Sequence, residues 1–239
     1  MITKKLPYKN LAGVTMCPGG WLVLPARMAG VTVSCEEAFV VPRLLDVLDF
    51  RPVFDAAAIN APMGLKDVPD GPWRSCDVDA RQYVGWPRAA AIYGTPSRQT
   101  MEEPNSLIAS KTETWMNAAD KRRYRWLREA AISIQPYHSR RMVPAHPDVS
   151  FTAMNGDEKL KTSPWHEDGR RERLELIRAQ LPGVDEVVTR APPPGAHPKM
   201  VLDAAAMLWT ARRQAGRAIS RFPLDPSWDS EGMRTELVR

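Results

Sequence analysis

The feature that most limits the fold of this chain is its proline content. Proline accounts for 22 of the 239 residues, and many of the prolines interrupt apolar runs. Proline lacks a backbone donor and breaks the interior of a helix or of a central strand. The regular elements must therefore be short, which argues against a helical bundle or a coiled coil. A mixed α/β domain with many connecting loops is the fold class that this pattern favours.

Composition limits the kind of protein further. With 44% hydrophobic and 26% charged residues the chain can bury a core, and we predict a single domain over residues 1–239. A net charge of +5 permits attraction to phosphate without requiring it. The N-terminal segment lacks the apolar run of a signal peptide, no stretch resembles a membrane span, and the 3 cysteines suggest no disulfide framework. We therefore expect a cytoplasmic protein without a membrane partner.

Short apolar stretches rich in β-branched residues predict the opening of a sheet. Three of them lie between residues 11 and 35, separated by turn sequences, and this spacing is typical of a three-stranded antiparallel meander. The continuous apolar run at 55–60 predicts a buried strand of the parallel type. A further strand is predicted at 141–146, and the C-terminal segment 233–239 adds a last one.

Helical periodicity appears between and after these strands. It predicts helices at 41–50, 166–181 and 200–218. A helical insertion in two pieces is predicted at about 104–135, and a proline-rich loop is predicted at 191–198.

Asp203 is the most informative single residue. On a helix, its neighbours three and four positions away include Met200, Ala206 and Met207, so its carboxylate lies along a largely apolar face. An ionised acid in that position needs a cation or a metal as partner, which makes Asp203 a candidate site residue. The alternative is that Asp203 forms an ordinary ion pair with Lys199.

A second candidate group is rich in arginine. Arg74, Asp77 and Arg81 lie within one short polar segment, and Arg98 follows in the sequence GTPSR. Guanidinium groups bind phosphate or carboxylate ligands through paired donors. The alternative for Asp77 and Arg81 is a surface ion pair one helical turn apart.

Two further groups of residues can be interpreted as either functional or structural. His146 and Asp148 follow a predicted strand, where they could form an acid–base pair or serve as metal ligands, although a lone histidine more often has a structural hydrogen bond. The basic run Lys121–Arg128 is interleaved with aromatic residues and could contact nucleic acid. The alternative is a helix that packs through Tyr124, Leu127 and Ala131 and leaves its arginines in solvent.

Several motifs occur in an order typical of a known family. They are AGVTMCPGGW, INAPMGL, RSCDVDAR, GTPSR, AHPDVSF, LKTSPWHEDGRRERLELI and VLDAAAMLWTARR. This order, over roughly residues 11–239, resembles the predicted RNase H-like nucleases grouped as domain of unknown function 429. The resemblance implies an RNase H-like mixed sheet that opens with an antiparallel meander, continues with parallel strands and ends with a helix that carries the last acidic residue.

The resemblance also implies a metal site of three aspartates, from which this sequence departs. The matching positions are Thr15, Asn60 and Asp203, and Pro144 stands where the family pattern has a glutamate. A hydroxyl and a carboxamide cannot offset the charge of two Mg²⁺ ions, so ordinary two-metal phosphodiester cleavage should be lost. The other matching positions are retained: Arg74, Cys76, Asp77, Arg81, Arg98, His146, Asp148 and Asp203.

These observations predict an RNase H-like domain that binds an anionic, phosphate-bearing ligand, with DNA and RNA among the candidates, and that lacks two-metal nuclease activity. Arg74, Arg81 and Arg98 would hold the anion, Asp77 would orient them, and Thr15 and Asn60 would line the site. No cofactor is expected beyond weak binding of Mg²⁺ or Mn²⁺.

Two alternative activities remain open at this stage. One is a metal-independent enzyme for a small molecule, with His146 as base, Asp148 or Asp203 as its partner, and a pH profile that bends at the usual histidine pKa of about 6.5. The other is a residual nuclease that holds one cation through Asp203, Asp77 or Asp148.

Overall fold

A computed structural model describes residues 7–239 of the chain. The strands are β1 (Lys9–Cys17), β2 (Gly20–Ala29), β3 (Thr32–Cys35), β4 (Phe39–Val41), β5 (Ala56–Ile59), β6 (Met142–Pro144), β7 (Arg221–Phe222) and β8 (Leu237–Val238). The helices are α1 (Leu44–Leu48), α2 (Ser75–Val84), α3 (Arg98–Met101), α4 (Ser106–Thr112), α5 (Ala118–Ser133), α6 (Pro147–Met154), α7 (Glu167–Gln180), α8 (Asp185–Val188) and α9 (Pro198–Ala215).

The main sheet mixes antiparallel and parallel pairs, which confirms the predicted mixed α/β class. Its strand order is β3-β2-β1-β5-β6, with β4 paired to β2. Strand β2 is antiparallel to both β1 and β3, whereas β5 is parallel to both β1 and β6. Strands β1, β5 and β6 therefore run in one direction, and their carboxyl ends meet at one edge of the sheet. Side chains that follow these strands are brought together there.

The alternation of side chains along β1 directs its two faces to different helices. Leu11 and Cys17 pack with α9, whereas Ala12 and Val14 pack with α1 and α5 on the other face. Helix α9 approaches β1 so closely that a Cβ on Gly13 would lie 1.9 Å from the backbone oxygen of Ala204. This close approach requires glycine at position 13.

The boundaries of several elements differ from those predicted. The strand predicted at 141–146 ends at Pro144, because His146 and Pro147 begin helix α6. The C-terminal strand is limited to β8, which pairs with β7 in a separate two-stranded sheet. The segment 104–135 contains α4 and α5, and the predicted helix at 166–181 corresponds to α7. Within residues 7–239, no helix combines the length and the apolar character needed to cross a membrane.

Candidate functional site

A cavity of about 340 Å³ lies at the carboxyl ends of β1, β5 and β6. Its lining brings together several residues predicted from sequence: Thr15, Asn60, His146, Asp148 and Asp203. The lining also contains four cationic residues that were not predicted to lie there: Arg88, Arg122, Arg123 and Lys199. This cavity, called the main cavity below, is therefore the candidate site.

Thr15 and Asn60 lie at the ends of two adjacent parallel strands and satisfy each other. The side-chain amide of Asn60 donates to the Thr15 hydroxyl oxygen over 3.0 Å, and Thr15 is buried. Two aspartates in these places would repel each other and would need a cation between them. A hydroxyl and an amide form a neutral hydrogen bond instead. At this end of the site, Thr15 and Asn60 therefore contribute no negative charge that a metal ion would have to neutralise.

Asp203 has a cation of its own. The Lys199 ammonium, one turn earlier on α9, forms an ion pair with the Asp203 carboxylate. This is the ion pair that the sequence offered as the alternative to a metal site. Burial raises the pKa of Asp203 above its usual value, and the Lys199 charge opposes this rise. The positive charge that Asp203 requires is therefore supplied by the chain.

The residues at the three positions that match the family's metal site do not fit a divalent cation. Thr15 and Asn60 carry no charge, and the single carboxylate, Asp203, is already paired with Lys199. Across residues 7–239, no set of three or more histidine, cysteine, aspartate or glutamate side chains is grouped as metal ligands. A two-metal arrangement would also require anionic oxygens bridging both ions.

Asp148 is neutralised by two arginines. Arg88 donates to its carboxylate over 3.1 and 2.9 Å, and Arg173 donates over 2.9 Å. Burial alone would raise the pKa of Asp148, but the hydrogen bond from Arg88 and the nearby positive charges lower it to about 2. Asp148 is therefore ionised, and both of its carboxylate oxygens accept hydrogen bonds from arginine.

His146 does not form the predicted acid–base pair with the Asp148 carboxylate. Its Nδ1 accepts from the backbone N–H of Asp148 and caps α6, so Nε2 carries the proton and faces the Ala91 carbonyl over 3.2 Å. Burial lowers the pKa of His146 to about 4. A base in this environment would titrate far below the pH of about 6.5 that the small-molecule enzyme hypothesis assumed.

Arg74 and Asp77 form a buried ion pair rather than part of an anion clamp. The Arg74 guanidinium donates to the Asp77 carboxylate over 2.6 and 2.9 Å and to the Gly64 carbonyl over 2.7 Å. Arg74 is only 4% exposed. Both residues line a small cavity of about 30 Å³ beside His146, but their charged groups are already paired with each other.

Arg81 and Arg98 also have partners in the chain, and neither residue lines the main cavity. Arg81 donates to the carbonyls of Ala89 and Ile92 over 2.7 and 2.8 Å and lies over the Trp73 ring. Arg98 pairs with Asp229 and with Glu231 near the C-terminus. The structure does not bring the three arginines of the predicted clamp together at one cavity, and each guanidinium contacts a part of the chain.

Two cations that line the main cavity, Arg122 and Arg123, are on α5 and form no ion pair within residues 7–239. Residues Ala119, Arg122, Arg123 and Trp126 recur at helical spacing and line the main cavity, whereas Tyr124 and Leu127 are buried on another face. The prediction that this helix packs through Tyr124, Leu127 and Ala131 is confirmed, because Ala131 is partly buried against the cluster that contains Tyr124 and Leu127. Ala130 is buried in the neighbouring cluster beneath β1 and β5. Arg122 and Arg123 both line the cavity, with Arg122 exposed to solvent and Arg123 partly buried. The basic run Lys121–Arg128 was the one sequence signal that pointed to them.

Arg123 is the least satisfied of these groups. Its guanidinium lies 4.4 Å from the centre of the Tyr93 ring. Its Nη1 is shielded from solvent and finds no hydrogen-bond partner within residues 7–239. Burial lowers the pKa of Arg123 below its usual value. A shielded guanidinium nitrogen without an acceptor is costly, and the Arg123 charge has no ion-pair partner within residues 7–239 beside the cavity.

The charges in the cavity are therefore unequally distributed. Asp148 and Asp203 are each paired with a cation of the chain, and within residues 7–239 Arg122 and Arg123 form no ion pair. Tyr93, Trp126 and Trp165 add aromatic surface to the lining. The site combines paired carboxylates, two unneutralised guanidinium groups and aromatic rings.

Comparison with protein families covers most of the chain. Residues 13–227 match the family described as "Protein of unknown function (DUF429)". The chain belongs to this family. Every residue named above as lining the main cavity, from Thr15 to Asp203, falls within the part that matches DUF429. Searches of curated proteins and of solved structures give no match.

Proposed function

We propose that this DUF429 domain is RNase H-like, that it binds an anionic, phosphate-bearing ligand in the main cavity, and that it does not carry out two-metal nuclease chemistry. Nucleic acid belongs to this ligand class. The observation that carries the proposal is Arg123, which lines the cavity, forms no ion pair within residues 7–239 and has a solvent-shielded Nη1 without an acceptor. The strand order supports the RNase H-like part, since an antiparallel β3-β2-β1 arrangement is followed by parallel β5 and β6.

Phosphate is the anion that the cavity suits best. Arg122 and Arg123, consecutive residues of α5 that both line the cavity, contribute two positive charges and several N–H donors. A phosphate monoester carries a charge of about −1.5 to −2 at neutral pH and offers three acceptor oxygens. A carboxylate would neutralise only one of the two arginines and would satisfy fewer donors.

The other half of the cavity supports a role without divalent metal. The Thr15–Asn60 hydrogen bond and the Lys199–Asp203 ion pair leave no unpaired carboxylate at the three matched positions. Asp77 and Asp148, the other acids considered for a residual one-metal site, are both bound by arginines. A cation would have to displace an arginine or a lysine to reach any of these carboxylates.

A combined cleavage and binding assay tests the proposal. The protein and its Asp203→Asn variant would be incubated with labelled single-stranded DNA and RNA in EDTA, in Mg²⁺ and in Mn²⁺, at a fixed and stated salt concentration. Thermal unfolding with inorganic phosphate would be followed in parallel. We expect phosphate to raise the Tm in EDTA, and we expect no cleavage in any buffer. Cleavage that requires Asp203 would overturn the metal-independent part, and the absence of both a Tm rise and a gel shift would overturn the binding part.

A further inference from the structure

The main cavity has two chemically different ends, because it lies over the edge of the sheet and takes residues from both faces. The arginines come from α5, which packs with Val14 and Ile59 on one face. The other end is formed by Lys199 at the start of α9, which packs on the opposite face, and by Trp165. A ligand that reaches both ends needs an anionic group at one end and a different group at the other.

Trp165 defines the second end. Its side chain lines the cavity, yet the residue is 56% exposed, so much of the indole surface is available for contact. The His197 ring lies 5.3 Å from the indole ring, and Lys199 Nζ lies 5.4 Å from it. An exposed indole beside a cationic cavity is suited to stacking on a planar ring.

The backbone around Trp165 is held in place. The Arg170 guanidinium donates to the Trp165 carbonyl over 2.8 Å. Helix α7 approaches the preceding loop so closely that a Cβ on Gly169 would lie 2.0 Å from the Ser163 backbone oxygen. The indole is therefore attached to a fixed backbone, which lowers the entropy cost of using it as a binding surface.

Resting on the proposed function, we infer that the ligand is a phosphomonoester joined to a planar ring, with the phosphate at Arg122 and Arg123 and the ring against Trp165. A nucleoside monophosphate is the representative of this class, either free or as the 5′ end of a single strand. The cavity of about 340 Å³ is at the small end of the range for ligand pockets, which favours one nucleotide over a duplex.

The test compares the affinities of three ligands for the wild-type protein and three variants. The affinities are measured by isothermal titration calorimetry in EDTA. The ligands are adenosine 5′-monophosphate, ribose 5-phosphate, which lacks the ring, and adenosine, which lacks the phosphate. The variants are Trp165→Leu, Trp165→Phe and the control Trp228→Leu, which alters another exposed tryptophan that does not line the cavity.

In the wild-type protein we expect the nucleotide to bind about tenfold more tightly than ribose 5-phosphate, which is the scale of one base stacked on an aromatic side chain. Trp165→Leu should abolish this advantage and leave the affinity for ribose 5-phosphate unchanged. Trp165→Phe should retain most of the advantage, and Trp228→Leu should retain all of it.

Two results separate the inference from the proposed function. Equal wild-type affinities for the nucleotide and ribose 5-phosphate would overturn the ring contact while leaving phosphate binding intact. Failure of both phosphorylated compounds to bind would overturn the proposed function itself. A 5′-phosphorylated single-stranded oligonucleotide that competes with the nucleotide would identify a strand end as a source, and competition only by the free nucleotide would identify the free compound.

Discussion

Two groups of arginines in this protein have similar chemistry and opposite surroundings. Arg74, Arg81 and Arg98 donate to carboxylates or carbonyls of the chain. Arg122 and Arg123 face a cavity and form no ion pair within residues 7–239. Within residues 7–239 each arginine of the first group is held by hydrogen bonds or ion pairs to the chain, although Nε of Arg98 has no hydrogen-bond partner, whereas neither arginine of the second group forms an ion pair. A candidate binding site is therefore indicated by arginines that lack ion-pair partners in the fold, and not by the number of arginines in a sequence motif.

The largest expected effect concerns stability in the first group. Arg74→Met leaves the buried Asp77 carboxylate without its cation, and breaking such a pair typically costs about 3–5 kcal/mol. The free energy of unfolding in urea measures this loss. The double variant Arg74→Met/Asp77→Leu is the matched control and should recover most of it. A single variant as stable as the wild type would show that the pair is not a structural element.

A smaller and pH-dependent loss is expected for Lys199→Met. Without Lys199 the Asp203 carboxylate is buried and unpaired, at a cost of roughly 3 kcal/mol near neutral pH. An acid whose folded pKa is raised destabilises the fold as pH rises through that pKa, and it has no effect below its unfolded value. The deficit relative to wild type should therefore shrink at pH 4. A deficit independent of pH would contradict the role given to Asp203.

His146 is expected to make the fold sensitive to acid. Its pKa is lowered to about 4, so the folded state favours the neutral ring, and stability is lost as pH falls from the unfolded value of about 6.5. His146→Asn can still cap α6 and removes this proton linkage. Between pH 7.5 and 4.5 the wild type should lose about 2 kcal/mol more than the variant. Parallel stability curves would show that His146 titrates normally.

The smallest effect should have the opposite sign. Arg123→Met removes a guanidinium whose buried Nη1 lacks an acceptor, so the ligand-free protein should become more stable by up to about 1 kcal/mol. Lys121→Met on the same helix is the control and should change stability by less than about 0.5 kcal/mol. Destabilisation by Arg123→Met alone would mean that the guanidinium is satisfied within the fold, as in the first group.

Much of the fold could be predicted because its signals are local. Apolar runs identify the strands that include Leu11, Leu22 and Ile59, and helical spacing identifies α7 and α9. Element ends were harder to place. Pro144 interrupts the predicted strand at 141–146, and the short strand β4 has too few residues to produce a pattern.

The candidate site could be predicted only in part, for a physical reason. Thr15, Asn60, His146, Asp148 and Asp203 follow strand ends or lie on α9, so motif order placed them well. The partner of each charge depends on tertiary packing. Nothing local connects Arg88 with Asp148, sixty positions away, or distinguishes the satisfied Arg74 from the unsatisfied Arg123.

The most direct test of the proposed site is whether Arg122 and Arg123 bind phosphate without metal. Calorimetric titration of inorganic phosphate in EDTA should be compared for wild type, Arg122→Gln/Arg123→Gln and the exposed control Arg171→Gln. We expect binding to wild type and to the control, and at least about a tenfold weaker affinity for the double variant. Unchanged affinity in the double variant, or no binding to wild type, would contradict phosphate binding at these arginines.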